Sequence, residues 1–205
     1  MRDAKGLYTA VRQGLQPVVR WLARLGLTPN GVTAFGMALN LAATPFIALG
    51  HFWWAAGLFV AASVCDLLDG SLARHTGKES AFGAFIDSTT DRLSEGVTLT
   101  ALGVYFARTG GKLPELVGVF VVLMASYLVS YERARAEALG LECKVGLMSR
   151  PERIIVLTTG FIFAQYWYIL SGAVYLLAAL TAFTVLQRVF YVRRQLRAGT
   201  DAPAA

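Results

Sequence analysis

Residues 66–91 read DLLDGSLARHTGKESAFGAFIDSTTD and place four aspartates inside two long apolar stretches. These aspartates are Asp66, Asp69, Asp87 and Asp91. A carboxylate near the centre of a bilayer costs about 2.5–3.5 kcal/mol, so four would cost on the order of 10 kcal/mol without a compensating ligand. Hard divalent cations, which prefer oxygen ligands, are the natural compensation. The stretch therefore predicts a pair of membrane helices that bind metal ions.

The spacing of the aspartates supports this prediction. Asp66 and Asp69 are three residues apart, and Asp87 and Asp91 are four apart. Residues at these separations share one face of a helix. Two such faces opposed to each other would bring four carboxylates together, which is the geometry of a metal site.

The residues around the aspartates fit a ligand site as well. Gly70, Ala73 and Gly83 are small enough to let helix backbones, or a flat ligand, approach closely. Arg74 adds a fixed cation that could pair with an aspartate or hold a phosphate. The simpler alternative is that the acids pair with arginine or line a water-filled cavity.

The composition is that of an integral membrane protein. Of the 205 residues, 56% are hydrophobic and 16% are charged, which makes a soluble fold improbable. Apolar runs predict six membrane spans, at residues 31–50, 52–72, 82–106, 113–129, 154–170 and 172–190. Residues 4–25 carry apolar side chains at spacings of three and four, which predicts an amphipathic helix in the membrane interface. A helix that docks on a partner is the alternative for that segment.

The distribution of basic residues predicts the orientation. With both termini in the cytoplasm, fifteen Lys and Arg residues lie on that side and two, Arg108 and Lys112, lie on the other, while Arg92 and Arg188 lie within the predicted spans and are not counted. The positive-inside rule therefore places the termini and the aspartates' end of the helices at the cytoplasmic face. Attraction to anionic lipid headgroups accounts for the net charge of +6, so no nucleic-acid partner is predicted.

The pattern D-x-x-D-G-x-x-A-R, eight residues, then G-x-x-x-D-x-x-x-D resembles the signature of the CDP-alcohol phosphotransferases at every fixed position. The resemblance implies a transferase that displaces CMP from a CDP-linked lipid such as CDP-diacylglycerol, and it implies a homodimer. It further implies that the four aspartates hold two divalent cations, Mg²⁺ or Mn²⁺, and that Asp91 takes the proton from the acceptor hydroxyl. The residues that it implies for donor binding are Pro29, Asn30, Thr33, Asp66, Asp69, Gly70, Ala73, Arg74, Gly83 and Asp87.

A second group of basic residues lies further along the chain. It comprises the sequence SYERAR at 130–135, the sequence RPER at 150–153, and Arg188 near the end of the sixth predicted span. Guanidinium groups suit bidentate binding of phosphate. The group therefore predicts a second anion pocket, and a basic loop that only sets the topology is the alternative.

These residues also resemble the branch of the family that makes phosphatidylinositol phosphate from CDP-diacylglycerol and inositol 1-phosphate. That resemblance implies binding of the acceptor's phosphate by Ser130, Arg133, Arg135, Arg153 and Arg188. Arg133 departs from the pattern, because the enzymes of this branch commonly carry a lysine there, and the geometry of a guanidinium differs from that of an ammonium.

The predicted fold is all-α, with six transmembrane helices around a polar cavity that faces the cytoplasm. One domain, residues 1–197, combines an interfacial helix at 1–27 with a six-helix core at 28–197, and residues 198–205 form a disordered tail. Within the same chemistry, glycerol 3-phosphate is the alternative acceptor. A divalent-cation transporter is the alternative from another class of protein, since acids within the membrane also mark ion pathways.

Overall fold

The computed structural model describes residues 14–110 and 112–200. In this part of the chain every regular element is a helix. Helix α1 covers residues 14–24, and it is followed by α2 (Pro29–Leu49), α3 (Phe52–Thr76), α4 (Ala81–Arg108), α5 (Leu113–Ala138), α6 (Arg150–Ile162) and α7 (Trp167–Thr200). Four of the described helices, α2, α3, α5 and α7, are long and apolar enough to cross a membrane. The chain is therefore a multi-pass membrane protein.

The helices divide into two compact units, and residues 14–46 and 54–98 belong to the first. Val19 of α1, Val32 of α2, and Leu68 and Leu72 of α3 form a buried apolar cluster. This cluster packs the start of α2 against the half of α3 that carries Asp66 and Asp69, so hydrophobic burial sets the position of the acidic motif.

Close backbone approach and polar contacts complete the first unit. A Cβ at Gly36 of α2 would lie 2.9 Å from the Cβ of Cys65 on α3, so only glycine allows this approach. On the α4 side, the Thr98 hydroxyl lies 3.2 Å from Oδ1 of the buried Asn40. Together these contacts hold α2 against both helices that carry the aspartates.

Helix α2 contains Pro45, which removes one backbone N–H from the helical ladder. The carbonyl of Leu41, four residues earlier, would otherwise accept from that N–H. Instead it accepts a hydrogen bond of 2.7 Å from the Thr44 hydroxyl. A side-chain donor thus replaces the missing backbone donor, as a helix within a membrane requires.

Residues 47–53, 99–110 and 112–200 belong to the second unit. Ser171 at the start of α7 donates to Glu115 at the start of α5, at 3.1 Å. Further along both helices, Arg188 of α7 donates to the carbonyl of Val129 of α5. Because the contacts advance in the same sense along both helices, α5 and α7 run parallel, and the chain between them must return from the end of α5 to the level at which α7 begins.

The helix bounds differ in places from the predicted spans. The predicted span at 154–170 is interrupted, because α6 ends at Ile162 and a turn at residues 163–166 precedes α7. Hydropathy could not predict this turn, because aromatic and apolar residues lie on both sides of it. Helix α7 continues to Thr200, so the first residues of the predicted tail are helical. The predicted N-terminal helix is described only from residue 14, and its earlier residues and those after 200 lie outside the described segments.

Candidate active site

Three of the four predicted carboxylates come together. Asp66 and Asp69 on α3 and Asp87 on α4 each offer an oxygen that lies within 4.8 Å of the others. Asp69 is buried, and the other two are partly buried. The cluster arises because the i,i+3 pair on α3 faces the first aspartate of the i,i+4 pair on α4.

The fourth predicted carboxylate, Asp91, is not in this cluster. It lies one helical turn after Asp87, which places its backbone roughly 6 Å further along α4. Its Oδ2 atom is 3.8 Å from Nη1 of Arg92, and 15% of its side chain is exposed. Four carboxylates were predicted to converge, and three of them do. Asp91 is not among these three.

Asp69 is held by a neighbouring helix. Its Oδ2 atom lies 2.6 Å from the hydroxyl of Thr33 on α2. Its Oδ1 atom accepts from the backbone N–H of Gly70. Charge-assisted bonds of this kind fix the orientation of a carboxylate and leave further lone pairs for a cation.

An open cavity of about 190 Å³ lies over the cluster. Its lining consists of Pro29, Asn30, Thr33, Asp69, Gly70, Ala73, Arg74, Lys78, Glu79, Ser80, Gly83, Ala84 and Asp87. Every residue predicted to bind the donor lines this cavity except Asp66, which belongs to the adjoining carboxylate cluster. The cavity thus combines carboxylates with two cations, Arg74 and Lys78.

Sequence reasoning missed four of the lining residues, namely Lys78, Glu79, Ser80 and Ala84. All of them lie between Arg74 and Asp87, in the eight-residue gap of the motif or beside Gly83. The short connection from α3 to α4 must bring these residues to the same end of both helices. The short gap in the motif could have predicted that these residues line the same cavity.

Two helices begin at the cavity with hydroxyl caps. Thr28 caps α2 by accepting from the N–H of Gly31 at 3.2 Å. Ser80 caps α4 by accepting from the N–H of Gly83 at 3.0 Å. A Cβ at Gly83 would lie only 3.0 Å from that Ser80 hydroxyl, so the glycine keeps the cavity open beside the start of α4.

The predicted acceptor residues lie in the second unit, and two of them are engaged with backbone. Arg188 is buried and donates through Nε to the carbonyl of Val145 at 2.9 Å, as well as through Nη1 to Val129. Arg153 is also buried, and its Nη1 donates to the carbonyl of Met148 at 2.9 Å. These guanidinium groups therefore hold the backbone around them.

The other predicted acceptor residues differ from these two. Arg133 is exposed and pairs with Glu137 at 2.9 Å. Arg135 is exposed and Ser130 is partly buried. All three lie on α5, one to six residues after Val129, whose carbonyl accepts from Arg188.

The residues of the carboxylate cluster fit a divalent cation. Three carboxylate oxygens within 4.8 Å of one another form a hard, negatively charged donor set, which suits Mg²⁺ or Mn²⁺. The hydrogen bond from Thr33 to Asp69 is a supporting contact of the kind that metal ligands commonly have. The cavity can therefore bind a ligand whose own negative charge a metal ion would neutralise.

The sequence model of the CDP-alcohol phosphatidyltransferase family matches residues 26–190. An archaetidylinositol phosphate synthase from Methanothermobacter thermautotrophicus is 37% identical over 191 residues, covering 91% of this chain and 92% of that protein. A phosphatidylinositol phosphate synthase from Mycobacteroides abscessus is 36% identical over 181 residues, covering 86% of this chain and 82% of its own length.

Solved structures match as well. The phosphatidylinositol phosphate synthase of Mycobacterium tuberculosis with CDP-DAG bound superimposes with a TM-score of 0.81 at 34% identity, covering 86% of this chain and 92% of that one. A structure of the same enzyme in complex with manganese and citrate also gives a TM-score of 0.81, and covers 87% of that chain.

Proposed function

This chain belongs to the CDP-alcohol phosphatidyltransferase family, and we propose that it transfers a phosphatidyl group from CDP-diacylglycerol, or a related CDP-linked lipid, to the hydroxyl of inositol 1-phosphate. The products are phosphatidylinositol phosphate and CMP. The observation that carries this proposal is the carboxylate cluster at a cavity lined by the residues of the family signature. The names of the relatives favour inositol phosphate over glycerol 3-phosphate as acceptor.

The cavity of the first unit binds the CDP group of the donor. Pro29, Asn30 and Thr33 at the start of α2 contact the cytidine end, and the small residues Gly70 and Gly83 leave room for it. Arg74 and Lys78 offer positive charge to the phosphates. The bound CDP-DAG of the mycobacterial structure supports this assignment.

Asp66, Asp69 and Asp87 would hold two divalent cations, Mg²⁺ or Mn²⁺. When bound, the ions neutralise the pyrophosphate and stabilise the negative charge on the departing CMP. The manganese complex of the mycobacterial enzyme supports this choice of metal. Thr33 keeps Asp69 oriented through its hydrogen bond.

Asp91 acts as the general base. Its carboxylate accepts the proton of the acceptor hydroxyl, whose oxygen then bonds to the lipid-bearing phosphorus while the bond from that phosphorus to CMP breaks. The position of Asp91 supports this separate role, because its backbone lies about 6 Å beyond that of Asp87 along α4 and its carboxylate is not among the three that converge. Proton transfer by a positioned side chain contributes about 10²–10⁴-fold to rate.

The arginines of the second unit bind the phosphate of the acceptor. A guanidinium carries five N–H donors, so Arg153 and Arg188 can each bind a phosphate oxygen as well as a backbone carbonyl. Arg133, Arg135 and Ser130 add contacts at the end of α5. Fixing the phosphate orients the hydroxyl for attack, which lowers the entropic part of the barrier.

Six helices cross the membrane, with α1 in the interface and both termini in the cytoplasm. Helix α4 has 28 residues, which at 1.5 Å per residue is roughly 42 Å and exceeds the thickness of the hydrocarbon core. Because α5 and α7 run parallel, the chain through α6 must cross back between them. The excess of basic residues on one side supports the orientation, and residues 1–197 form one functional domain in a homodimer.

The test is an assay of the purified protein in detergent. CDP-diacylglycerol and an isoprenoid CDP-lipid are each supplied with Mg²⁺ and with inositol 1-phosphate, free inositol or glycerol 3-phosphate. We expect CMP release with inositol 1-phosphate and a lipid product of the corresponding mass. The variant Asp87→Asn serves as the inactive control, and a product formed only with glycerol 3-phosphate would refute the assignment of the acceptor.

A further inference from the structure

The segment that connects α5 to α6, residues 139–149, is fastened to α7 by side chains of α7. The N–H of Met148 donates to the hydroxyl of Thr184 at 3.0 Å. The carbonyl of Val145 accepts from Nε of Arg188 at 2.9 Å. Thr184 and Arg188 are four residues apart and so share one face of α7. Two side chains of α7 therefore hold the backbone of this connection in place.

Thr184 is the centre of this attachment. Its side chain is fully buried, and its hydroxyl donates to the carbonyl of Leu180 at 2.8 Å while it accepts from Met148. Both hydrogen-bonding functions of the hydroxyl are therefore in use. Its methyl group faces Gly146, where an added Cβ would lie 2.5 Å from Thr184 Cγ2. Gly146 has a φ of 137°, a conformation that favours glycine.

The attached segment in turn presents carbonyl groups to two arginines. Val145 accepts from Arg188, and Met148 accepts from Arg153. Each arginine is buried, and its guanidinium is oriented by the carbonyl of this segment, together with the carbonyl of Val129 on α5 in the case of Arg188. A displacement of the segment would therefore rotate both guanidinium groups.

We infer that Thr184 and Gly146 are positioning residues for acceptor binding. By docking the 139–149 segment on α7, they set the planes of Arg153 and Arg188 before the acceptor's phosphate arrives. This inference rests on the proposed role of those arginines. Preorganisation of this kind lowers the cost of binding without adding a contact to the ligand.

The test is steady-state kinetics on Thr184→Val, which keeps the shape of the side chain and removes the hydroxyl. The Michaelis constant for inositol 1-phosphate should rise roughly five- to tenfold, the effect of about one lost hydrogen bond. The constant for CDP-diacylglycerol should stay unchanged, and Thr184→Ser, which keeps the hydroxyl, should restore the parent value. Equal changes for both substrates, or no change for either, would overturn the inference.

A second pair of variants covers the case in which Thr184→Val fails to fold. Gly146→Ala leaves every hydrogen-bonding side chain in place but forces the segment away from the methyl group of Thr184. It should raise the constant for inositol 1-phosphate, and adding Thr184→Ser, which removes that methyl group, should partly reverse the rise. Additive effects of the two substitutions would contradict the proposed contact.

The matched control is Gln195→Leu, which removes the 2.8 Å bond from Nε2 to the carbonyl of Glu142 at the exposed end of the same segment. It should leave the Michaelis constant for inositol 1-phosphate unchanged. A rise equal to that of Thr184→Val would show that Thr184 has no special role. The parent enzyme separates this inference from the proposed function. If the parent does not use inositol 1-phosphate, the proposed function fails; if the parent uses it and the Thr184 and Gly146 variants match the parent, only this inference fails.

Discussion

The carboxylate cluster and the arginine group differ in what their side chains already bind. Asp69 receives hydrogen bonds from Thr33 and Gly70, yet three acidic oxygens still face one another within 4.8 Å. Arg153 and Arg188 instead spend part of their donors on backbone carbonyls. Like charges brought together require a counterion, whereas the two guanidinium groups already donate to acceptors in the backbone. The first region is therefore built around a ligand, and the second is also part of the scaffold.

The largest effect should follow removal of a carboxylate from the cluster. Asp69→Asn and Asp87→Asn should each lower CMP release by more than about 100-fold, since even groups that only support a metal ligand cost 10–100-fold. The exposed Glu142→Gln is the control and should behave as the parent. Normal CMP release from either cluster variant would refute the metal assignment.

Asp91→Asn should slow the transfer by about 10²–10⁴-fold, the contribution of a general base. Titration with Mn²⁺ followed by electron paramagnetic resonance should show binding equal to that of the parent, unlike Asp87→Asn. This variant tests whether Asp91 acts as the base without binding the metal ions. Loss of Mn²⁺ binding would show that all four aspartates are ligands.

The two classes of arginine should respond differently to truncation. Arg188→Ala should lower both the affinity for inositol 1-phosphate and the stability of the fold, because each buried carbonyl left without a donor costs about 1–3 kcal/mol. Arg133→Ala, at an exposed position, should lower the affinity alone. Denaturation in detergent and steady-state kinetics measure the two effects, and equal stability of both variants would contradict a scaffold role for Arg188.

The smallest effect at the carboxylate cluster should be that of Thr33→Val. Loss of the hydroxyl removes the hydrogen bond to Asp69 and should weaken Mn²⁺ binding by roughly tenfold, the lower end for a group that supports a metal ligand. Thr33→Ser should restore the affinity. Mn²⁺ binding is measured directly, so the result does not depend on turnover, and unchanged binding in Thr33→Val would show that the contact is not needed for metal affinity.

The carboxylate site could be anticipated because its geometry is local. Spacings of three and four residues fix faces of a helix, so Asp66, Asp69 and Asp87 could be expected to meet once α3 and α4 were placed side by side. The same spacing could not show that Asp91 lies outside the cluster, since that depends on the level at which the two helices cross. Hydropathy likewise gave the long spans but not the turn at residues 163–166, where apolar residues continue through a break in the backbone.

The roles of Arg153 and Arg188 depend on contacts between distant parts of the chain. Two of the carbonyls that they bind, those of Val145 and Met148, belong to a connection with no regular structure. Thr184 and Gly146 set the path of that connection. The path of an irregular connection cannot be predicted from a sequence pattern. The positive charge of these residues therefore predicted an anion pocket. It could not predict that Arg153 and Arg188 also donate hydrogen bonds to backbone carbonyls.

The close approach of Gly36 to Cys65 constrains how this sequence can evolve. Position 36 is not among the residues that line the cavity, and a methyl group there would ordinarily count as a conservative change. Yet it would push α2 from α3 only three residues after Thr33, whose hydroxyl must stay within reach of Asp69. A lineage that accepts a larger residue at position 36 must therefore compensate at position 65, so the two positions are expected to vary together.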